Sequence, residues 1–401
     1  MTRYKSWVLT DVAGDVWLDS FAVGADGLHL PTAHDWAVRK RTLRGGLRDG
    51  VDLIEVHNGA LSFSVLPTRG LGLWRADYRG NPLGWRAPVV GPVHPQFVRP
   101  AERGGLGWLD GFDELLCRCG LESNGPPGED AWADGQGRPR RAQLTLHGRI
   151  ANLPARTVEV RVGLDPPYEL CVSGTVEESA LFCPQLRLTA SYTTVPGSNR
   201  LVIHDVVENR GAQPSEFQLL YHCNLGPPFL EAGARVLAPV RELAPQTPRA
   251  AEGVVTLDTY GPPAAGFAEQ VYLYDPQADA RGHTLALLVN AAADRAVALR
   301  FNRHELPCFT VWKNTGALEE GYVTGLEPAT NYPNFKGFER RRGRVPVLPP
   351  GGRWEGRLTL EVADTTQAVA ALLAEVATIQ AHVKAVIHRT PQPRFSPAGE
   401  A

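Results

Sequence analysis

Residues 156–225 contain RTVEVRVGL (156–164), YELCVSGTVEE (168–178), PQLRLTASYTTV (184–195), NRLVIHDVVEN (199–209) and SEFQLLYHCNL (215–225). In VEVRV and RLVIHDVV apolar and polar residues alternate with a period of two, the mark of strands with one wet face. Gly, Pro and Asn close the runs at short intervals, which favours strand–turn–strand connections over crossover helices. The same grammar extends back through VDLIEVHNG, ALSFSVLP and LGLWRADYRG, and forward through VYLYD, HTLALLVN, AVALRFN, FTVWKN, GYVTGLEP and RWEGRLTLEVAD. The expected fold is all-β, a large antiparallel β-sandwich in one domain over 1–401, with its core in 50–362.

One long helix is expected, over 365–389. Asp364 with Gln367 reads as its capping box, and Val369, Leu372, Leu373, Val376, Ile379, Val383, Val386 and Ile387 form its apolar stripe. That stripe suits packing onto the sandwich, with a homodimer contact as the alternative. The tail after Pro391 is expected to fray. Residues 82–140 are the least regular, with Trp85, Trp108, Phe112 and Trp132 scattered among Gly, Pro and acids and a short helix expected over 110–119. Such a segment is either a lid over a site or ordinary loop packing.

The 401 residues are 43% hydrophobic and 21% charged, with a formal net charge of −2. That balance describes a globular protein and gives no footprint for nucleic acid or a membrane surface. No run is long enough to span a bilayer, no signal peptide is apparent, and the six cysteines fit a cytoplasmic protein with reduced thiols. Cys117-x-Cys119 lacks a second ligand pair, so no metal is expected. The absence of GxGxxG, P-loop and GxSxG patterns leaves no sequence support for a nucleotide cofactor or a serine nucleophile.

Four ionisable residues sit in or beside strands next to turns: His147, His222, Glu269 and Glu327. Two imidazoles and two carboxyls can supply an acid, a base and anchors for a neutral polar substrate. His222 enters from an apolar strand just before the Gly-Pro-Pro break at 226–228, and Glu327 closes a strand before Pro328. Singly, each is as readily a hydrogen-bonded structural residue.

LHGRIANLPA (146–155), NRGAQPSEFQLLYHCNLGPPFLEAGARV (209–236), FAEQVYLYD (267–275) and FTVWKNTGALEEGYVTGLEPATNYPN (309–334), in that order, resemble a bacterial branch of the aldose 1-epimerase, or galactose mutarotase-like, superfamily. The resemblance implies a sugar site on the concave face of the sandwich and cofactor-free chemistry on a small carbohydrate. His147 matches the histidine of the family's HG-type motif, and His222 with Asn224 and Leu225 matches its second histidine. Glu269 stands where the family usually has Asp, and Glu327 matches its glutamate. The resemblance casts Glu327 as the carboxylate that takes the anomeric proton and His222 as the imidazolium that protonates the ring oxygen. His147, Glu269 and Asn224 would bind substrate, as would an arginine, Arg69 or alternatively Arg149. Lys313 is a further candidate for polar or anionic groups. A lyase or keto-sugar isomerase using the same pair, and a sugar-binding protein without turnover, are the competing readings. The anomer-interconverting reading expects His222 and Glu327 on opposite sides of the acetal, at either flank of one sugar-sized hollow and no more than ~12 Å apart.

Overall fold

The computed structural model describes residues 3–133 and 137–400. Two sheets of ten and thirteen strands, antiparallel apart from one short pair, pack face to face. The alternation seen in the sequence sets which side each residue takes. In Thr157–Gly163, Val158, Val160 and Val162 are buried while Thr157, Glu159 and Arg161 remain partly exposed. A single apolar core draws on both sheets, including Val160, Leu188 and Ile203 from one and Ile54, Leu219, Val311 and Leu326 from the other. The chief charge inside it is the Arg118–Asp205 pair, at 2.5 Å, which bridges the sheets. Both groups are desolvated, so their two-point contact is what makes burial tolerable.

The Gln218–Leu225 strand is buried at every position, which is why it reads as a continuous apolar run. One face looks into the core. The other is roofed by the irregular segment that follows residue 82, with Trp85, Trp108 and Phe112 packed against Leu220 and Ala329. Within that segment no helix spans 110–119. A 3₁₀ turn at Gly107–Gly111 leads into a strand, Leu116–Leu121, between Gly72–Tyr78 and Gln218–Leu225. Leu116 turns to the core and Cys117 and Cys119 to the opposite face, a period of two that a helix could not satisfy.

The C-terminal helix runs over Thr366–Gln380 only. Its cap is Thr365, whose hydroxyl accepts from the Ala368 N–H, whereas Asp364 pairs with Arg79. Gln380 ends it by bonding the backbone of Val240 and Val383, and Val386–Ile387 then pair as a strand beside Val240–Pro245. Val369, Leu372, Val376 and Ile379 pack on Leu285, Leu287 and Ala298, so the stripe is committed to its own sheet. The tail is docked rather than frayed. Phe395 is fully buried, and Ser396 Oγ donates to the Gln246 carbonyl at 2.5 Å. No helix among the described residues is long and apolar enough to cross a membrane.

Candidate functional site

Three neighbouring strands of the thirteen-stranded sheet, Cys308–Asn314, Val323–Ala329 and Gln218–Leu225, direct Trp312, Glu327 and His222 away from the core. His222 Nε2 lies 3.3 Å from Glu327 Oε1, and both side chains are nearly inaccessible, at 6% and 3% exposure. The contact is not aligned as a hydrogen bond, and Oε1 has no hydrogen-bond partner within the chain. Gly325 makes room for this carboxyl, since a Cβ there would sit 2.3 Å from Oε1.

Asn224 fixes the orientation of the imidazole. Its Nδ2 donates to the carbonyls of Glu114 (3.0 Å) and His222 (3.2 Å), which leaves Oδ1 to face His222 Nδ1 at 2.7 Å. An oxygen there requires a proton on Nδ1, so Nε2 is the nitrogen free to give or take a proton toward Glu327. Burial drives His222 down to about 3, with the neighbouring His147 adding to the effect. Burial also pushes Glu327 well above the usual carboxyl range, and the negative charge of Glu269 adds to that. A dry setting favours the uncharged form of both groups, so the free pair holds one proton, on Glu327.

His147 completes the cluster. Its ring centroid lies 5.6 Å from that of His222, and its Nδ1 donates to the Asn124 carbonyl at 2.8 Å, leaving Nε2 unpaired. Burial lowers it to about 4. Aromatic rings wall the pair: Phe112 at 5.0 Å, Trp312 at 5.3 Å and Trp108 at 6.4 Å from His222, centroid to centroid. Glu269, at the exposed rim, accepts from Trp312 Nε1 at 2.6 Å and so holds one wall in place.

The remaining candidates fall elsewhere. Arg69 is buried and makes four hydrogen bonds, to Glu114 Oε1, Val93 O, Asn152 Oδ1 and Gly111 O, with Nη2 also 2.7 Å from Glu114 Oε1. It ties the roof loops to the sheet and offers no donor to a sugar. Arg149 keeps more freedom: its side chain is 43% exposed, and its Nε, 3.9 Å from the Glu122 carboxylate, makes no hydrogen bond within the chain. Lys313 points into the opposite face of the sheet, because it follows Trp312 by one residue in a period-two strand. Its Nζ donates to the carbonyls of Thr256, Leu257 and Thr259, and burial pulls it down to about 8. Asn224 is fully buried and orients the His222 ring from its Nδ1 side, away from Glu327. Trp132 stands in the Gly128–Ala133 hairpin strand with Arg340 over its ring. Among the described residues, no group of His, Cys, Asp and Glu has the arrangement of a metal site.

Residues 48–362 match the family described as Domain of unknown function (DUF4432). The chain belongs to that family. A crystal structure of a provisionally assigned aldose 1-epimerase from Klebsiella pneumoniae subsp. pneumoniae MGH 78578 is 37% identical to this DUF4432 chain. It superposes with a TM-score of 0.92 over 97% of this chain and 99% of the other. A galactose mutarotase-like protein from Clostridium acetobutylicum is 14% identical with a TM-score of 0.57, covering 82% and 98% of the two chains. Galactose 1-epimerase from Lactobacillus acidophilus NCFM is 13% identical with a TM-score of 0.53, covering 87% and 99%. At those identities the last two establish the fold alone: this member of the family is an all-β, galactose mutarotase-like protein. No curated protein sequence matches it.

The sequence reading of this DUF4432 site placed Phe112 and Trp108 in a possible lid but missed Trp312 as a wall residue, and Thr310, which stands opposite Glu327. Trp312 and Thr310 share the parity of Glu327 across the strand pair, a signal available once the register is known.

Proposed function

We propose that this DUF4432 protein interconverts the anomers of a small carbohydrate, with Glu327 and His222 moving the two protons that ring opening requires. The observation that carries the reading is the buried 3.3 Å contact between Nε2 and Oε1, with the imidazole tautomer locked by Asn224. The galactose mutarotase-like fold and the 37% identity to the Klebsiella protein support it.

Opening a cyclic hemiacetal takes the proton from the anomeric hydroxyl and gives one to the ring oxygen as the bond between that oxygen and the anomeric carbon breaks. Both oxygens are attached to the same carbon, so an acid and a base standing side by side can serve them; they need not flank the ring from opposite sides. The pair carries one proton as carboxylic acid and imidazole, which burial favours in the free protein, or as carboxylate and imidazolium, which the family resemblance implies for the reacting state. Transfer across the 3.3 Å contact interconverts the two. In the charged form the carboxylate takes the anomeric proton and the imidazolium protonates the ring oxygen. After rotation about the bond from the anomeric carbon to its neighbour, the reverse transfers close the other anomer and restore the pair. Polar substrate oxygens entering a dry site supply the solvation the charged form lacks. His147 Nε2 and the rim carboxylate of Glu269 are left to hold substrate hydroxyls, and the aromatic walls suit the C–H faces of a sugar.

The test is one-dimensional NMR or polarimetry of freshly dissolved aldoses with the wild type, Glu327→Gln and His222→Asn. The expected result is faster anomer exchange with the wild type only. Line broadening of the sugar without faster exchange would return the protein to a binding role.

A further inference from the structure

Thr310 stands directly opposite Glu327 in the pairing of Cys308–Asn314 with Val323–Ala329. Opposed residues leave the sheet on the same face, with Cβ atoms roughly 5 Å apart. Thr310 is fully buried, and its Oγ1 has no hydrogen-bond partner within the chain. Two other buried polar atoms of the same enclosure share that condition, Glu327 Oε1 and Trp108 Nε1. Buried hydroxyls nearby behave otherwise: Thr324 Oγ1 donates to the Trp312 carbonyl at 2.9 Å, and Thr330 Oγ1 bonds Leu219. Valine has the same branched shape, suits a strand equally well and leaves no oxygen unmet, so packing does not account for threonine at 310. Two unmet polar atoms beside a proton-transfer pair whose own carboxyl oxygen is unmet describe the outline of a ligand's hydroxyls.

We propose that Thr310 is a substrate-binding residue whose hydroxyl bonds the hydroxyl on the carbon next to the anomeric carbon of an uncharged aldose. This rests on the anomer-interconverting reading of the same site, in which Glu327 and His222 act one cross-strand step away. A hydroxyl suits Oγ1, which both donates and accepts. An anionic substituent at that position does not suit it, because it would meet the carboxyl of Glu327 and the nearby charge of Glu269.

The test compares D-glucose and D-galactose with their 2-deoxy counterparts in wild type, Thr310→Val and Thr310→Ser. Thr310→Val removes an unmet buried oxygen at constant shape, so its melting temperature is expected to equal or exceed that of the wild type, and a functional loss then cannot be misfolding. For the parent sugars, kcat/KM of anomer exchange should fall about tenfold in Thr310→Val, the scale of one hydrogen bond, and recover in Thr310→Ser. The 2-deoxy sugars should be slower with the wild type by a similar factor and lose nothing further in Thr310→Val. Equal losses on parent and 2-deoxy sugars, or no loss on either, overturn the proposal. If the wild type binds sugars without speeding exchange, the activity reading alone fails and the same comparison is read in Kd. If it binds none of the four sugars, both fail.

Discussion

Among the histidine–glutamate pairs of the described residues, two of nearly equal length behave as opposites. On the ten-stranded sheet, His204 Nε2 sits 3.2 Å from Glu355 Oε2, with side chains 32% and 50% exposed. They line an open cavity of about 640 Å³ together with Arg300, Arg357 and Glu375, and its charges are largely paired, Arg300 with Glu361 and Glu375 at 2.6 Å each. On the thirteen-stranded sheet, His222 and Glu327 are dry and walled by aromatic rings, and an oxygen of the carboxyl is left unmet. Water and counter-charges screen the first pair, so its contact alters little. In the second the surroundings move a proton from one partner to the other, which is the condition for acid–base work. Burial with unmet partners, rather than an open cavity, is what marks the candidate site here.

The contrast breaks most directly by removing one carboxyl from each pair. Glu327→Gln is expected to lower anomer-exchange kcat by about 10²–10⁴-fold, the range for a positioned general acid or base, while Glu355→Gln leaves it within about twofold. Comparable losses from both, measured by exchange NMR, would remove the distinction.

Burial predicts a second asymmetry, in stability. Arg69→Met strands Glu114 without its partner in a dry interior and is expected to cost about 3–5 kcal/mol by denaturant unfolding. Arg3→Met, which breaks a solvent-exposed pair with Asp165, should leave the unfolding midpoint unchanged within error. If both cost the same small amount, Arg69 is solvated and its donors are free for substrate after all.

Arg69 also marks where sequence reading stops. The strand grammar made the sandwich legible because alternation is a property of neighbouring residues, and His147, His222, Glu269 and Glu327, which the quoted motifs singled out, lie in one neighbourhood of the structure. Which side of a strand a residue takes depends on register, and a one-residue offset put Lys313 under the sheet and Trp312 over it. Whether an arginine has donors to spare depends on carbonyls contributed by residues 24 and 42 positions away, which no local pattern records. The helix end at Gln380 and the docked tail were illegible for the same reason: the groups that hold them, Val240, Gln246 and Asn334, are remote in sequence.

Asn224 sharpens the comparison within the buried pair itself. Asn224→Leu removes the acceptor that keeps the proton on His222 Nδ1, so the imidazole can present Nε2–H instead of a lone pair. The expected loss in kcat is about 10–100-fold, the worth of a hydrogen bond to a group that becomes charged during reaction, with KM little changed. A loss confined to KM would make Asn224 a substrate contact.

The smallest effect is one of slope. In the folded chain the His222–Glu327 pair keeps one proton from about pH 3 up to the raised Glu327 value. Unfolded, the same two residues titrate near 4.5 and 6.5, holding two protons below 4.5, one between, and none above 6.5. Stability therefore changes with pH in proportion to the difference in bound protons, up to about 1.4 kcal/mol per pH unit for one proton. Above 6.5 the folded pair holds the extra proton, so the pair's contribution falls as pH rises; below 4.5 the unfolded state holds the extra proton, so it falls as pH drops; between them it is flat. Subtracting the unfolding free energies of the His222→Asn/Glu327→Gln double variant from those of the wild type, pH by pH, isolates this profile from the other titrating groups, His147 included. Linkage counts protons, so a carboxylate–imidazolium pair, which also holds one, gives the same plateau between 4.5 and 6.5 and declines of the same sign on both sides. A flat difference throughout would mean that the folded pair titrates as the unfolded one does. The two one-proton forms are told apart by the His222 ring signals in NMR between those pH values: a neutral imidazole with its proton on Nδ1 is expected, and an imidazolium would place the shared proton on His222 instead.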